Sequence, residues 1–348
     1  MEPFVFLFVY LLCVWLLSAH ITDENKRIRH QCVLSFLGLL FYLGFHSPTL
    51  GIDIENAYVP AFEMSSTDFI HPESIFAFEK GFVVYMSLVK CVTSSPQVYL
   101  FISAFIILLP IFYLIYEKSK IKMLSIIIYA SWQLYVFSFS GLRQAIAVSI
   151  VCLGYKFIYE KKLIYFLGLV VLATFIHTSA LLSVVAYPLF WSNINKKILL
   201  ISGTIFIIAL FSSHQILELA ANIVFRGEAY SSKLSNVEYG GIGLAFVYVA
   251  WVVFDLIVDK SVTNRYLPFF ILLTAIQFTG MYSNNISRIG YYFIPFMIIG
   301  IPNAIHTQNN IINRRFMISG VVSVVIFFFF YSIRGGIYGI IPFSFFWQ

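Results

Sequence analysis

The sequence predicts an all-α, polytopic integral membrane protein. Three observations predict it: 60% of the 348 residues are hydrophobic, only 11% are charged, and the apolar residues gather in runs long enough to cross a bilayer. A soluble globule carries about a quarter of its residues as charges. A soluble multidomain enzyme, a nucleic-acid binder and a disordered regulator are therefore excluded together, because no polar face exists to solvate them. The formal charge of +6 then reports topology and not a nucleic-acid partner.

A spanning helix needs about 20 mostly apolar residues, and fewer when other helices surround it. Candidate spans run over 3–20, 31–47, 97–116, 123–139, 141–158, 163–176, 178–191, 198–211, 241–257, 266–282, 288–305 and 316–333. These are about twelve helices, some short or re-entrant, and an outward-facing cavity is expected among them. Residues 1–348 read as a single polytopic domain whose longest connectors are 48–96 and 212–240. The first run, Phe4 to Ala19, has no basic start and no small-x-small cleavage site, so it reads as a retained anchor. The four cysteines sit singly in apolar stretches without metal-ligand spacing and read as small core residues; no metal and no cofactor is expected.

Charge sets the orientation. Most of the 22 Lys and Arg residues, among them Lys26, Arg27, Arg29, Lys118, Lys120, Lys122, Lys161, Lys162, Arg314 and Arg315, fall on one side of this path, which marks the cytoplasm. Both termini and both long connectors are then outside, together with most of the acids. The apolar stretch 81–93 would invert every later loop if it spanned, so it is expected to be a re-entrant or interfacial helix on the outer face.

Five polar positions need a physical reason. Arg143, in Phe139-Ser140-Gly141-Leu142-Arg143-Gln144-Ala145, begins an apolar helix, where the macrodipole disfavours a cation and bare N–H groups favour an anion. It either binds a phosphate there, or snorkels to the interface, or pairs with an acid such as Asp53 or Glu79. Arg288, in Ser287-Arg288-Ile289-Gly290-Tyr291-Tyr292, repeats this setting, and two such arginines suit a pyrophosphate clamp. His177 stands between two short spans, so the hairpin tip lies below the outer surface, and its imidazole is either structural or catalytic. Asp53 and Glu79 could bind a divalent ion, act as a base or pair with the arginines. The loop 212–240 mixes charges with Tyr230 and Tyr239, which would suit a carbohydrate contact, but an ordinary solvated loop looks much the same and is the favoured reading.

The ordered set Gly51-x-Asp53 with Tyr58, Glu79-x-Gly81-Phe82, Gly141-Leu142-Arg143-Gln144-x-x-Ala147, Phe175-x-His177-x-Ser179-Ala180-Leu181 and Ser287-Arg288-x-x-Tyr291-Tyr292 resembles the EpsG family of Wzy-type polysaccharide polymerases. The likeness runs from about residue 50 to residue 292. Where the family usually carries an Arg shortly before the Asp, Thr49 and Leu50 stand here, and Ile52 replaces a frequent polar residue.

The resemblance implies a bacterial inner-membrane glycosyltransferase of O-antigen or lipopolysaccharide assembly, acting at the outer leaflet. It would move a growing glycan from undecaprenyl pyrophosphate to a sugar hydroxyl of another lipid-linked repeat unit. Expected partners are those lipid-linked oligosaccharides as donor and acceptor, membrane lipids, and a chain-length regulator protein. Arg143, Arg288 and Tyr291 would hold the pyrophosphate; His177 is the first choice of base, with Asp53 and Glu79 in reserve. An oligosaccharide ligase using the same donor is the alternative. A transporter would want ionisable residues near the bilayer midplane or an inverted repeat, and an acyltransferase would rely on His20, His30 or His306.

Overall fold

A computed structural model describes residues 1–71, 74, 76–192, 242–259, 264–280 and 284–348. Among the described residues there is no strand, only a single antiparallel bridge between His46 and Phe345. The expected span 198–211 and the loop 212–240 lie outside the described residues. The chain divides into two compact units, Met1–Val184 with Asn309–Gln348, and Val185–Gln308.

The first unit holds α1 (Glu2–Ser18), α2 (Glu24–Gly44), α3 (Val59–Met64), α4 (Lys80–Val92), α5 (Pro96–Lys118), α6 (Lys122–Ser131), α7 (Gln133–Phe137), α8 (Leu142–Tyr159), α9 (Leu163–Ile176) and the C-terminal helix Ile311–Arg334. Helix starts follow local chemistry. Asp23 caps α2 by accepting the Lys26 N–H at 3.0 Å, Asn310 caps the last helix through the Ile312 and Asn313 N–H groups, and Pro96 opens α5 where its missing N–H costs nothing. Three helices, α5, α8 and Ile311–Arg334, are long and apolar enough to cross a membrane. The shorter apolar helices include α1, α6 and α9. Buried serines let neighbours approach: Ser149 of α8 donates to the Ile107 carbonyl of α5 at 2.6 Å, a contact a larger side chain would prevent.

One end of this unit collects the start of α1, the end of α2, the turn before α8 and the C-terminal tail. Ser47 N–H donates to Ser344 O at 2.9 Å and Phe346 N–H to Phe45 O at 3.1 Å, while the Phe343 ring packs on Phe4 and Phe139. Lys118, Lys122 and Lys162 stand at the opposite ends of α5, α6 and α9, where Lys118 lies over the Tyr159 ring and Lys162 pairs with Glu160 at 2.8 Å.

The second unit holds α10 (Ala186–Trp191), α11 (Ile242–Val258), α12 (Leu267–Gly280), α13 (Asn284–Ile289) and α14 (Ile294–His306). Its packing is aromatic: Phe269 and Phe296 stack at 3.7 Å, and Arg265 lies over Trp191. Asn264 caps α12 by accepting the Tyr266 and Leu267 N–H groups.

The expected segmentation changes at three places. The span 123–139 breaks into α6 and α7 at Trp132, where Ser131 turns its hydroxyl onto the Ile127 carbonyl and loosens the helical ladder. The span 178–191 begins as a 3₁₀ helix, Thr178–Val185, before α10. The span 288–305 bends by 52° between Tyr292 and Ile294, where Pro295 removes a donor and crowds the preceding turn. With that bent pair counted as one, up to four helices among the described residues meet the length and polarity of a span. The stretch expected as 81–93 is α4, 13 residues and so about 20 Å long, well short of a roughly 30 Å hydrocarbon core.

Candidate active site

Three backbone features bring distant motifs together in the first unit. Gly51 has φ +93°, a left-handed conformation, and a Cβ there would lie 1.9 Å from the Phe139 carbonyl oxygen. Only glycine lets the segment that follows α2 close onto the turn before α8, where the Asp53 N–H donates to Ser140 Oγ at 3.2 Å. From there a π-helical turn, Ile54–Tyr58, aims the buried Tyr58 ring at Arg143. Gly81 plays the matching part in α4: a Cβ would meet the Phe175 carbonyl at 2.5 Å. Its absence lets the start of α4 lie against the end of α9, two residues before His177.

Glu79, the N-cap of α4, is the centre of the cluster. One carboxylate oxygen, Oε2, accepts Arg143 Nη1 at 2.5 Å. The other, Oε1, accepts His177 Nδ1 at 2.9 Å, the Thr178 N–H at 3.0 Å and the Thr178 hydroxyl at 3.2 Å. Arg143 Nε donates weakly to the Tyr58 hydroxyl at 3.4 Å, and the guanidinium lies 4.4 Å from the Phe78 ring centre. Side-chain exposures of 21%, 16% and 24% for Arg143, Glu79 and His177 keep the cluster sheltered but reachable.

Burial raises the Glu79 carboxyl, but the hydrogen bonds from His177 and Thr178, joined by the Arg143 charge, outweigh it and hold the group well below the usual carboxylate range. Glu79 is thus an ionised acceptor and a feeble base. Burial pushes the Tyr58 hydroxyl up, against the opposing pull of Arg143, so it stays protonated at neutral pH. With Glu79 accepting at Nδ1, the imidazole carries its proton there when neutral, and Nε2 is left as the basic nitrogen.

Of the expected residues, the structure joins Arg143, Glu79 and His177 directly, and the carboxylate pairing with Arg143 is Glu79. Asp53 is half-buried and close enough for its charge to act on Tyr58. Arg288 and Tyr291 belong to the second unit, Arg288 half-buried on α13 and Tyr291 buried in the following 3₁₀ turn. Sequence reasoning gave no site role to Tyr58, Phe78 or Thr178. The pairing of Tyr58 with Arg143, 85 residues apart, left no local signal.

The fold and this cluster define a helical membrane protein with an arginine–carboxylate–imidazole site at the ends of its helices. The chain belongs to the EpsG family, whose family model matches residues 29–345, and so is a membrane protein of the Wzy-like polysaccharide-polymerase type. No curated protein and no solved structure shows significant similarity to it.

Proposed function

We propose that this chain elongates a surface polysaccharide at the outer leaflet of the bacterial inner membrane, moving a growing glycan from undecaprenyl pyrophosphate to a sugar hydroxyl of another lipid-linked repeat unit. The observation that carries this reading is the placement of a guanidinium and an imidazole on the two oxygens of one carboxylate, Glu79. The transfer needs an anion stabilised and a hydroxyl deprotonated at neighbouring points, and the pair offers one group for each.

In this mechanism the acceptor hydroxyl gives its proton to His177 Nε2 while its oxygen attacks the anomeric carbon of the donor. The bond from that carbon to the pyrophosphate oxygen breaks, and the electron pair stays on the departing lipid pyrophosphate. Arg143 Nη2 is the donor assigned to the developing charge. Arg288 and Tyr291 are assigned to the same pyrophosphate on their sequence setting, and Asp53 is the reserve base.

The test is turnover of a purified lipid-linked repeat unit by the full chain in nanodiscs, with a chelator present. The expected product is a ladder of lengthened glycans, lost in Arg143→Ala and Arg288→Ala while the folded protein persists. Transfer only onto a lipid core would reassign the chain as a ligase, and full ladders from both variants would dismiss the clamp.

A further inference from the structure

We infer that Glu79 is a positioning residue that couples anion occupancy of Arg143 to the basicity of His177. The inference rests on the proposed pyrophosphate reading and adds a communication step to it. A single carboxylate serves both groups, Oε2 toward Arg143 Nη1 and Oε1 toward His177 Nδ1. Charge drawn toward one side is withheld from the other. When a pyrophosphate docks on Arg143, the guanidinium shares its charge with the new anion and weakens its hold on Oε2. Glu79 then stabilises the imidazolium form of His177 more strongly.

The surrounding groups permit this. Among the described residues, the groups facing His177 are Glu79 from the start of α4 and, through it, Arg143 from α8; Tyr58 stands on the far side of Arg143, with Asp53 near Tyr58. Thr178 fixes Oε1 through both its N–H and its hydroxyl, so the carboxylate keeps its place when the arginine bond loosens. Phe78 and Tyr58 likewise hold the guanidinium in position. The consequence is timing: the base is strongest when the leaving group is already seated. By linkage, protonating His177 must tighten an anion on Arg143 by the same factor.

Inorganic pyrophosphate is the probe. The full chain in nanodiscs is treated with diethyl pyrocarbonate, which acylates neutral imidazole, across a pH series with and without pyrophosphate. Modification of His177 is read on its own peptide by mass spectrometry. The plateau rate reports shielding by the bound anion; the midpoint reports basicity. In the wild type we expect a lower plateau and a midpoint raised by about one pH unit, with pyrophosphate affinity increasing about tenfold as His177 becomes protonated. Glu79→Gln should bind the anion yet lose most of the midpoint shift, and Glu79→Asp should restore part of it. A lowered plateau with a fixed midpoint overturns the coupling and leaves the pyrophosphate site intact. A full midpoint shift in Glu79→Gln overturns the role of Glu79. No response of either quantity in the wild type overturns the pyrophosphate reading itself, and the coupling with it.

Discussion

Replacing Arg143 separates charge from shape. Its guanidinium makes one charge-assisted bond to Glu79 at 2.5 Å, a long bond to Tyr58 and a cation–π contact with Phe78 at 4.4 Å. The first is worth about 1.5–3 kcal/mol and the ring contact about 0.5–1 kcal/mol, so Arg143→Ala should destabilise the fold by about 2–4 kcal/mol. Loss of an oxyanion-type donor lowers turnover by a further about 10²–10³-fold among molecules that remain folded. Arg143→Lys keeps the charge but cannot reach Glu79, Tyr58 and an incoming anion with one fixed fork, so it should recover most of the stability and little of the rate. Thermal unfolding in nanodiscs reads the first quantity, and chain elongation per folded molecule reads the second. Wild-type elongation by Arg143→Lys would refute the argument, because a point charge would then suffice.

Three further outcomes follow from the same cluster. His177→Ala should lower kcat by about 10²–10⁴-fold and remove the acidic limb of the pH–rate profile; an unchanged profile would leave His177 only a packing role. Because the folded Glu79 carboxyl is held below its ordinary value of 4.5, its contribution to stability is complete above that pH and is lost as pH falls through the folded value. Acid titration of unfolding should therefore show a drop beginning near pH 4.5 that is smaller in Glu79→Gln, and identical acid slopes would exclude the linkage. Gly81→Val should push α4 off the Phe175 carbonyl, costing about 1–3 kcal/mol and much of the elongation activity. Retained activity with normal stability would show that the close approach is dispensable.

How far the site could be read from sequence differs by residue. Arg143 drew attention because a cation stood at the wrong end of a helix dipole, and His177 because two short spans left it below the surface. Both are local arguments, and both residues fall in the cluster. That Arg143 chooses Glu79 over Asp53 was not legible, since both acids lie in the same connector, 48–96, and the choice depends on where α4 meets α9. The breaks at Trp132 and Tyr292 also escaped hydropathy, which counts apolar residues and is blind to a serine bonding back to its own helix or to the carbonyl a proline crowds.

The sequence by itself determined that the chain is helical, that it belongs in a bilayer, and that its few buried charges demand partners, because burial of apolar surface and the cost of a bare charge depend on residue type alone. Only the tertiary structure decided that Glu79 holds Arg143 and His177 at once. Hydrogen bonds act over about 3 Å. Bringing His177 within that reach of Glu79, 98 positions away, took the bare backbone of Gly81 against the Phe175 carbonyl, whose effect exists only once the helices have packed.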